Sequence, residues 1–278
     1  MSILESFSIL HPSLLEDGKT LLLSLNHGKA NEMGSNTLRA WEAVTEALHQ
    51  GSIRSVITTS ERLSRSGKPI FIAGADVTER TGWTDEAVKK HVRWQRNTLS
   101  ALRHAPVFHT AIVHGVALGW GTEFLLCCDY RIATPTARFG LPETSLGILP
   151  GAGGTSELWM EVGVAHAMRL GMTGEQIDST EAARIGLVQE SVDTYEEAYQ
   201  RALSLCRLAN RRSPSALSAF KSGVLGSRGL TGDKRRELEA KAYEHCVDSG
   251  DAAVGRAHFK EIIGGQTPPW SVFTEFKP

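Results

Sequence analysis

An α/β fold is predicted from three features of the chain. Short apolar runs bounded by turn residues, at 20–26 and 111–113, have the length of strands rather than helices. Between them lies a stretch with helical spacing, 36–49, whose apolar positions are Leu38, Trp41, Val44 and Leu48. Beyond Tyr195 the pattern is helical throughout, in segments at 196–209, 215–225, 233–246 and 251–263. The organisation that follows is a mixed core over 1–195 and a helical C-terminal region over 196–278.

Each element has its own local reason. Asp17-Gly18 and His27-Gly28 bound the first strand, and Ser35 is placed to cap the helix after it. Residues 55–59 and 70–73 read as buried strands, joined by a polar surface loop at 60–69. The 77–97 stretch is largely polar and carries Trp83 and Trp94, both of which suit packing under a helix. Pro150-Gly151-Ala152-Gly153-Gly154-Thr155 opens a helix running to about Gly171. It lacks the lysine of a phosphate-binding loop, which points instead to a tight turn beside a site.

Composition narrows the function. The chain has 278 residues, 41% hydrophobic and 22% charged, enough for one sizeable core with a small accessory region. A formal net charge of -1 gives no reason to expect nucleic acid or an anionic membrane as a partner. Cys127, Cys128, Cys206 and Cys246 lack metal-type spacing and the density of a disulfide scaffold, so reduced thiols in a cytoplasmic protein are expected. The first 18 residues carry Glu5, Glu16 and Asp17 without a basic region before an apolar stretch, and are read as neither a signal nor a transit peptide. No run is long and apolar enough to span a bilayer.

Chemistry concentrates between His114 and Thr155. Two lone carboxylates, Glu123 and Glu143, stand there beside glycine-rich turns in otherwise apolar or small surroundings. The strand, turn and helix start around Gly119-Trp120-Gly121 leave unpaired backbone N–H groups at one spot, where glycine permits close approach and negative charge is stabilised. Glu123 in such a first turn also suits simple dipole compensation, and Glu143 after Pro142 suits an ordinary turn.

Three segments, FIAGADV (71–77), GVALGWGTEFLLCCDYRIA (115–133) and FGLPETSLGILPGAGGT (139–155), resemble in order and spacing the crotonase, or enoyl-CoA hydratase/isomerase, superfamily. The resemblance runs from about Leu21 to Phe259, and it implies a turn at 170–174, a helix at 178–186 and a strand at 187–191. It implies a crotonase-like spiral of ββα units whose helical C-terminal region packs between subunits as a homotrimer or dimer of trimers. The substrate implied is an acyl-CoA, with no metal and no cofactor apart from the coenzyme A of the substrate itself.

By the same resemblance, Glu123 activates water and Glu143 exchanges a proton at the α carbon, while the backbone N–H groups of Ala75 and Trp120 form an oxyanion hole. Lys29, Ala30, Ala73, Ala75 and Asp76 would meet coenzyme A, with Phe259 and Lys260 completing that site, and 77–97 would cover the acyl pocket. Asp76 equally suits capping of the following turn. The family has glycine where Trp120 stands. Tryptophan disfavours positive φ, so its indole either reshapes the acyl pocket or turns into the protein. Retention of both glutamates favours a 2-enoyl-CoA hydratase over a double-bond isomerase or a ring-opening hydrolase of a cyclic β-keto acyl-CoA. A non-catalytic coenzyme A-binding or RNA-associated member would have no use for two buried acids.

Overall fold

The computed structural model describes residues 3–278, which leaves Met1 and Ser2 of the N-terminal segment outside the described residues. Ten strands form two sheets: β1 (Pro12–Leu14), β2 (Thr20–Leu25), β3 (Ser55–Ser60), β4 (Ile70–Ile72), β5 (Phe108–Val113), β6 (Val116–Leu118), β7 (Tyr130–Ala133), β8 (Arg138–Gly140), β9 (Ile177–Asp178) and β10 (Glu190–Ser191). The larger sheet runs β1-β2-β3-β5-β7-β10 and the smaller β4-β6-β8-β9. Within the large sheet only the β1–β2 pair is antiparallel.

From β3 to β8 the chain gives one strand to the large sheet and the next to the small one, then crosses in a helix. The helices are α1 (Ser35–Leu48), α2 (Asp85–His104), α3 (Trp120–Leu125), α4 (Leu158–Thr173), α5 (Ser179–Arg184), α6 (Tyr195–Asn210), α7 (Pro214–Gly226), α8 (Gly232–Asp248), α9 (Asp251–Ala257) and α10 (Phe259–Ile263). The repeat β3-β4-α2, β5-β6-α3 is the spiral of ββα units that the resemblance implies. The parallel pairing of β3, β5 and β7 follows from it, because each return crosses the same face.

Strand alternation divides the interior in two. Ala111 and Val113 on β5 join the main core with Trp41, Phe71 and Phe124, whereas Ile112 joins Ile57 and Ile132 on the opposite face. That second face is covered by Ala198, Ala202 and Cys206, spaced four apart on α6. The first C-terminal helix is therefore laid directly on the sheet. Helices α7 and α8 enclose a small cluster of Ala219, Leu238 and Phe276.

Four local expectations are corrected. Gly34, not Ser35, is the cap of α1, and the Ser35 N–H and hydroxyl both donate to the Glu79 carboxylate from the far loop. The helix after Pro150 begins only at Leu158, because 151–157 is spent in turns, and it continues through the segment read as a turn to Thr173, where left-handed Gly174 ends it. Only Glu190–Ser191 of the strand expected at 187–191 pairs; Leu187 and Val188 are buried in the main core, with the Val188 N–H bonded to Ala182 O. Strand β6 is a further strand between the apolar run at 111–113 and the turn at 119–121, which the sequence reading did not separate from them.

Candidate active site

The spiral brings β4, β6 and the start of α3 to one place. Gly121 packs so hard on β4 that a Cβ there would stand 2.2 Å from Ile72 O, and one on Gly74 would meet Leu118 O at 3.6 Å. Any side chain at 121 would separate the two elements. Their contact sets residues 73–75 against the Gly119-Trp120 turn.

Residues 30–33 and 73–76 form a short parallel strip. Ala73 N–H donates to Ala30 O (3.1 Å), Met33 N–H to Gly74 O (3.0 Å) and Asp76 N–H to Met33 O (3.0 Å). This pattern turns the Ala75 N–H off the strip, where it has no protein acceptor among the described residues. Trp120 is the first residue of α3, so its N–H also has no helical partner. The left-handed conformation that tryptophan disfavours falls on Gly119 instead, at φ 53°. Trp120 is 2% exposed and stacks on Phe124 with ring centroids 5.8 Å apart.

Glu123 is 3% exposed. Its Oε1 accepts two backbone N–H groups, from Ala152 at 2.7 Å and Gly154 at 2.8 Å. The glycine-rich run at 150–155 is thus a clamp on this carboxylate. A Cβ on Gly154 would press Pro150 Cβ at 2.4 Å and Glu123 Oε1 at 3.2 Å, so the clamp needs glycine there. Burial pushes the Glu123 carboxyl up to about 7, with the neighbouring Glu143 charge adding to the rise and the two N–H bonds opposing it.

Glu143 lies in the short helical turn Pro142–Leu146. Its Oε2 is buried without a hydrogen-bond partner, and burial raises its pKa. Two acids of raised pKa, each with one uncommitted oxygen, can hold one proton between them and pass it to or from a molecule bound beside Gly119.

The remaining expected residues divide into two groups. Lys29, Ala30, Ala73, Ala75 and Asp76 come together along the strip. Lys29 shares an open cleft with Arg62 and Arg65, and Arg62 Nε–H donates to its carbonyl at 3.1 Å. Asp76 Oδ1 accepts the N–H groups of Thr78 (3.0 Å) and Glu79 (3.2 Å), a capping arrangement. Phe259 and Lys260 stand apart: α10 packs on α9, Phe259 is exposed, and no hydrogen bond or ion pair joins either residue to the strip.

Three features escaped the sequence reading. The grip of Ala152 and Gly154 on Glu123 was signalled only as a turn. Arg62 sits in a loop read as mere surface. Arg96 on α2 donates through Nε–H to Gly151 O at 2.8 Å and so anchors the clamp, and nothing in a single sequence marks it.

The family model for enoyl-CoA hydratase/isomerase matches residues 21–270. The chain belongs to this family. It is 34% identical over 232 residues to a probable mitochondrial enoyl-CoA hydratase 2 of Arabidopsis thaliana, covering 83% of this chain and 75% of that one. It is 32% identical over 254 residues to the mitochondrial methylglutaconyl-CoA hydratase of Rattus norvegicus, covering 88% and 78%. The crystal structure of an enoyl-CoA hydratase from Bacillus anthracis superposes with a TM-score of 0.83 at 31% identity, covering 94% of this chain and 98% of that one. Membership of the enoyl-CoA hydratase/isomerase family makes this an enzyme acting on acyl-CoA thioesters, within the crotonase superfamily. Among its described residues no helix is long and apolar enough to cross a membrane.

Proposed function

We propose that the enzyme is a 2-enoyl-CoA hydratase, adding water reversibly across the double bond conjugated to the thioester. The observation that carries this reading is the pair of acids around Gly119, with buried Glu123 clamped by Ala152 and Gly154 and half-buried Glu143 holding a buried, unpaired oxygen.

Each part of the reaction then has an owner. The thioester carbonyl oxygen takes the free N–H groups of Ala75 and Trp120. Because these are fixed in backbone, they stabilise the enolate without reorganising as charge develops. Ionised Glu123, oriented by its two N–H bonds, takes a proton from water, whose oxygen bonds to the β carbon. Protonated Glu143 gives its proton to the α carbon as the enolate collapses. One proton leaves water and one reaches carbon, and the pair is reset by proton transfer from Glu123 to Glu143. The strip with Lys29, Ala30, Ala73 and Asp76 is the proposed coenzyme A contact. No separate cofactor or metal has a role in these steps.

The unpartnered apolar stripe of Val164, Met168 and Met172, spaced four apart and exposed along α4, supports association into a homotrimer or dimer of trimers. Phe259 and Lys260 would reach a coenzyme A site only across such an interface. Size-exclusion chromatography tests it, and a monomer peak would overturn it.

Turnover in heavy-oxygen water distinguishes the reactions. Hydration places one heavy oxygen on the β carbon of the product. An isomerase leaves the mass unchanged, and a ring-opening hydrolase places the heavy oxygen in a new carboxylate. Either of the last two results would replace the hydratase reading.

A further inference from the structure

Beyond Glu123 lies a cavity of about 290 Å³ between α2, the end of α3, the 152–157 turn and the end of α7. One wall is apolar, formed by Leu99, Leu126 and Cys127, and suits the methylenes of an acyl chain. Its charged groups are strongly unbalanced in commitment. Arg103 and Arg228 line it but are spent on Glu157 and Glu161, at 2.6 to 3.4 Å. His104 is turned back through Nδ1 to Ser100 O at 2.7 Å. Arg96 differs. It is an exposed residue whose Nε–H is held by Gly151 O, and among the described residues its guanidinium has no carboxylate partner.

A guanidinium fixed at one nitrogen, with its remaining donors free at a cavity that begins at a catalytic acid, is a preorganised receptor for a carboxylate. Its charge is also felt at Glu123, whose rise in pKa it opposes, which places it within electrostatic reach of the reaction centre. An uncharged acyl chain entering this cavity gains nothing from the cation, whereas a carboxylated one would pair with it.

We infer that the substrate is the mono-CoA thioester of an unsaturated dicarboxylic acid, whose free carboxylate is bound by Arg96. This inference rests on the hydratase reading for the reaction, though not for the recognition of the acyl group.

The test compares glutaconyl-CoA with 2-pentenoyl-CoA, its uncharged counterpart of equal carbon number, as a ratio of kcat/KM. Wild type should favour the carboxylated substrate by about tenfold or more, the worth of one charge-assisted hydrogen bond. Arg96→Gln should collapse that ratio and Arg96→Lys should restore part of it. Loss of the Gly151 anchor alone would lower both substrates together and leave the ratio unchanged. A wild-type ratio near unity, or one that Arg96→Gln does not move, overturns the inference. If neither enoyl-CoA is hydrated, the hydratase reading fails by itself. The affinities of glutaryl-CoA and valeryl-CoA, measured calorimetrically on wild type and Arg96→Gln, then decide the recognition. Tighter glutaryl-CoA binding that the variant loses supports it, and equal affinities refute it.

Discussion

Gly119 and Glu143, 24 positions apart in the chain, are packed so that a Cβ on the glycine would stand 2.7 Å from the carboxylate Oε1. Gly119 also holds φ 53°, in the left-handed region. Both facts reserve the position for glycine and make it the seat against which the acid is set. Gly119→Ala should displace the Glu143 carboxylate and lower kcat by about a hundredfold, the cost typical of misplacing a catalytic group. Steady-state kinetics on the folded variant check this; unchanged kcat would show that Glu143 is not held there for catalysis.

The pH dependence follows from Glu123. In the proposed mechanism it acts as a base in its ionised form, and burial pushes its carboxyl up to about 7, so kcat/KM should fall as pH drops through that value. Stability has the opposite sign. A carboxyl raised from 4.5 favours the folded state while protonated in it, and that contribution is lost as pH rises through the window from 4.5 to about 7. The loss is on the order of 3 kcal/mol. Glu123→Gln keeps an oxygen for Ala152 and Gly154 but cannot ionise. Its Tm relative to wild type should therefore rise between about pH 5 and about pH 8, a trend that scanning calorimetry reads directly.

Glu161 is the hub of a partly buried ionic cluster. It pairs with Arg131 (3.0 Å), Arg228 (3.1 Å) and Arg103 (3.4 Å), joining β7, α2 and the end of α7. Arg131 is 3% exposed, so removing the acid strands a guanidinium in the interior. Glu161→Ala should cost about 3–5 kcal/mol in chemical denaturation. A loss below 1 kcal/mol would be typical only of an exposed pair.

Trp120 offers a backbone donor and a core side chain at once. Trp120→Ala keeps the N–H but empties the space against Phe124, so it should destabilise by about 3–5 kcal/mol. Thermal and denaturant unfolding measure this. A stability like that of wild type would show that the indole does not support the core.

How much of this was visible beforehand depended on the range of the interaction. The glutamates stood out because carboxylates are rare among apolar neighbours, and the ββα order was implied by the family resemblance of three segments. The grip of Ala152 and Gly154 on Glu123 spans about 30 positions, 29 and 31, and no local pattern encodes it. Ser35 looked like a cap because the competing Glu79 lies 44 residues away. The tail, for which the sequence suggested no role, docks on the core. Glu275 meets His49 at 3.0 Å, Trp270 Nε1–H donates to Arg211 O at 3.0 Å, and Phe276 is buried. Arg96 was hidden for the same reason, since a helix periodicity shows which face is polar but not what that face meets.

The most direct test of the two-acid mechanism is the loss of enoyl-thioester absorbance on mixing an enoyl-CoA with wild type or with Glu143→Gln. Straight, branched and carboxylated acyl groups should be tried in turn. The mechanism predicts loss with wild type, and nearly none with the variant although it folds and binds acyl-CoA. Turnover by Glu143→Gln at close to the wild-type rate would contradict it.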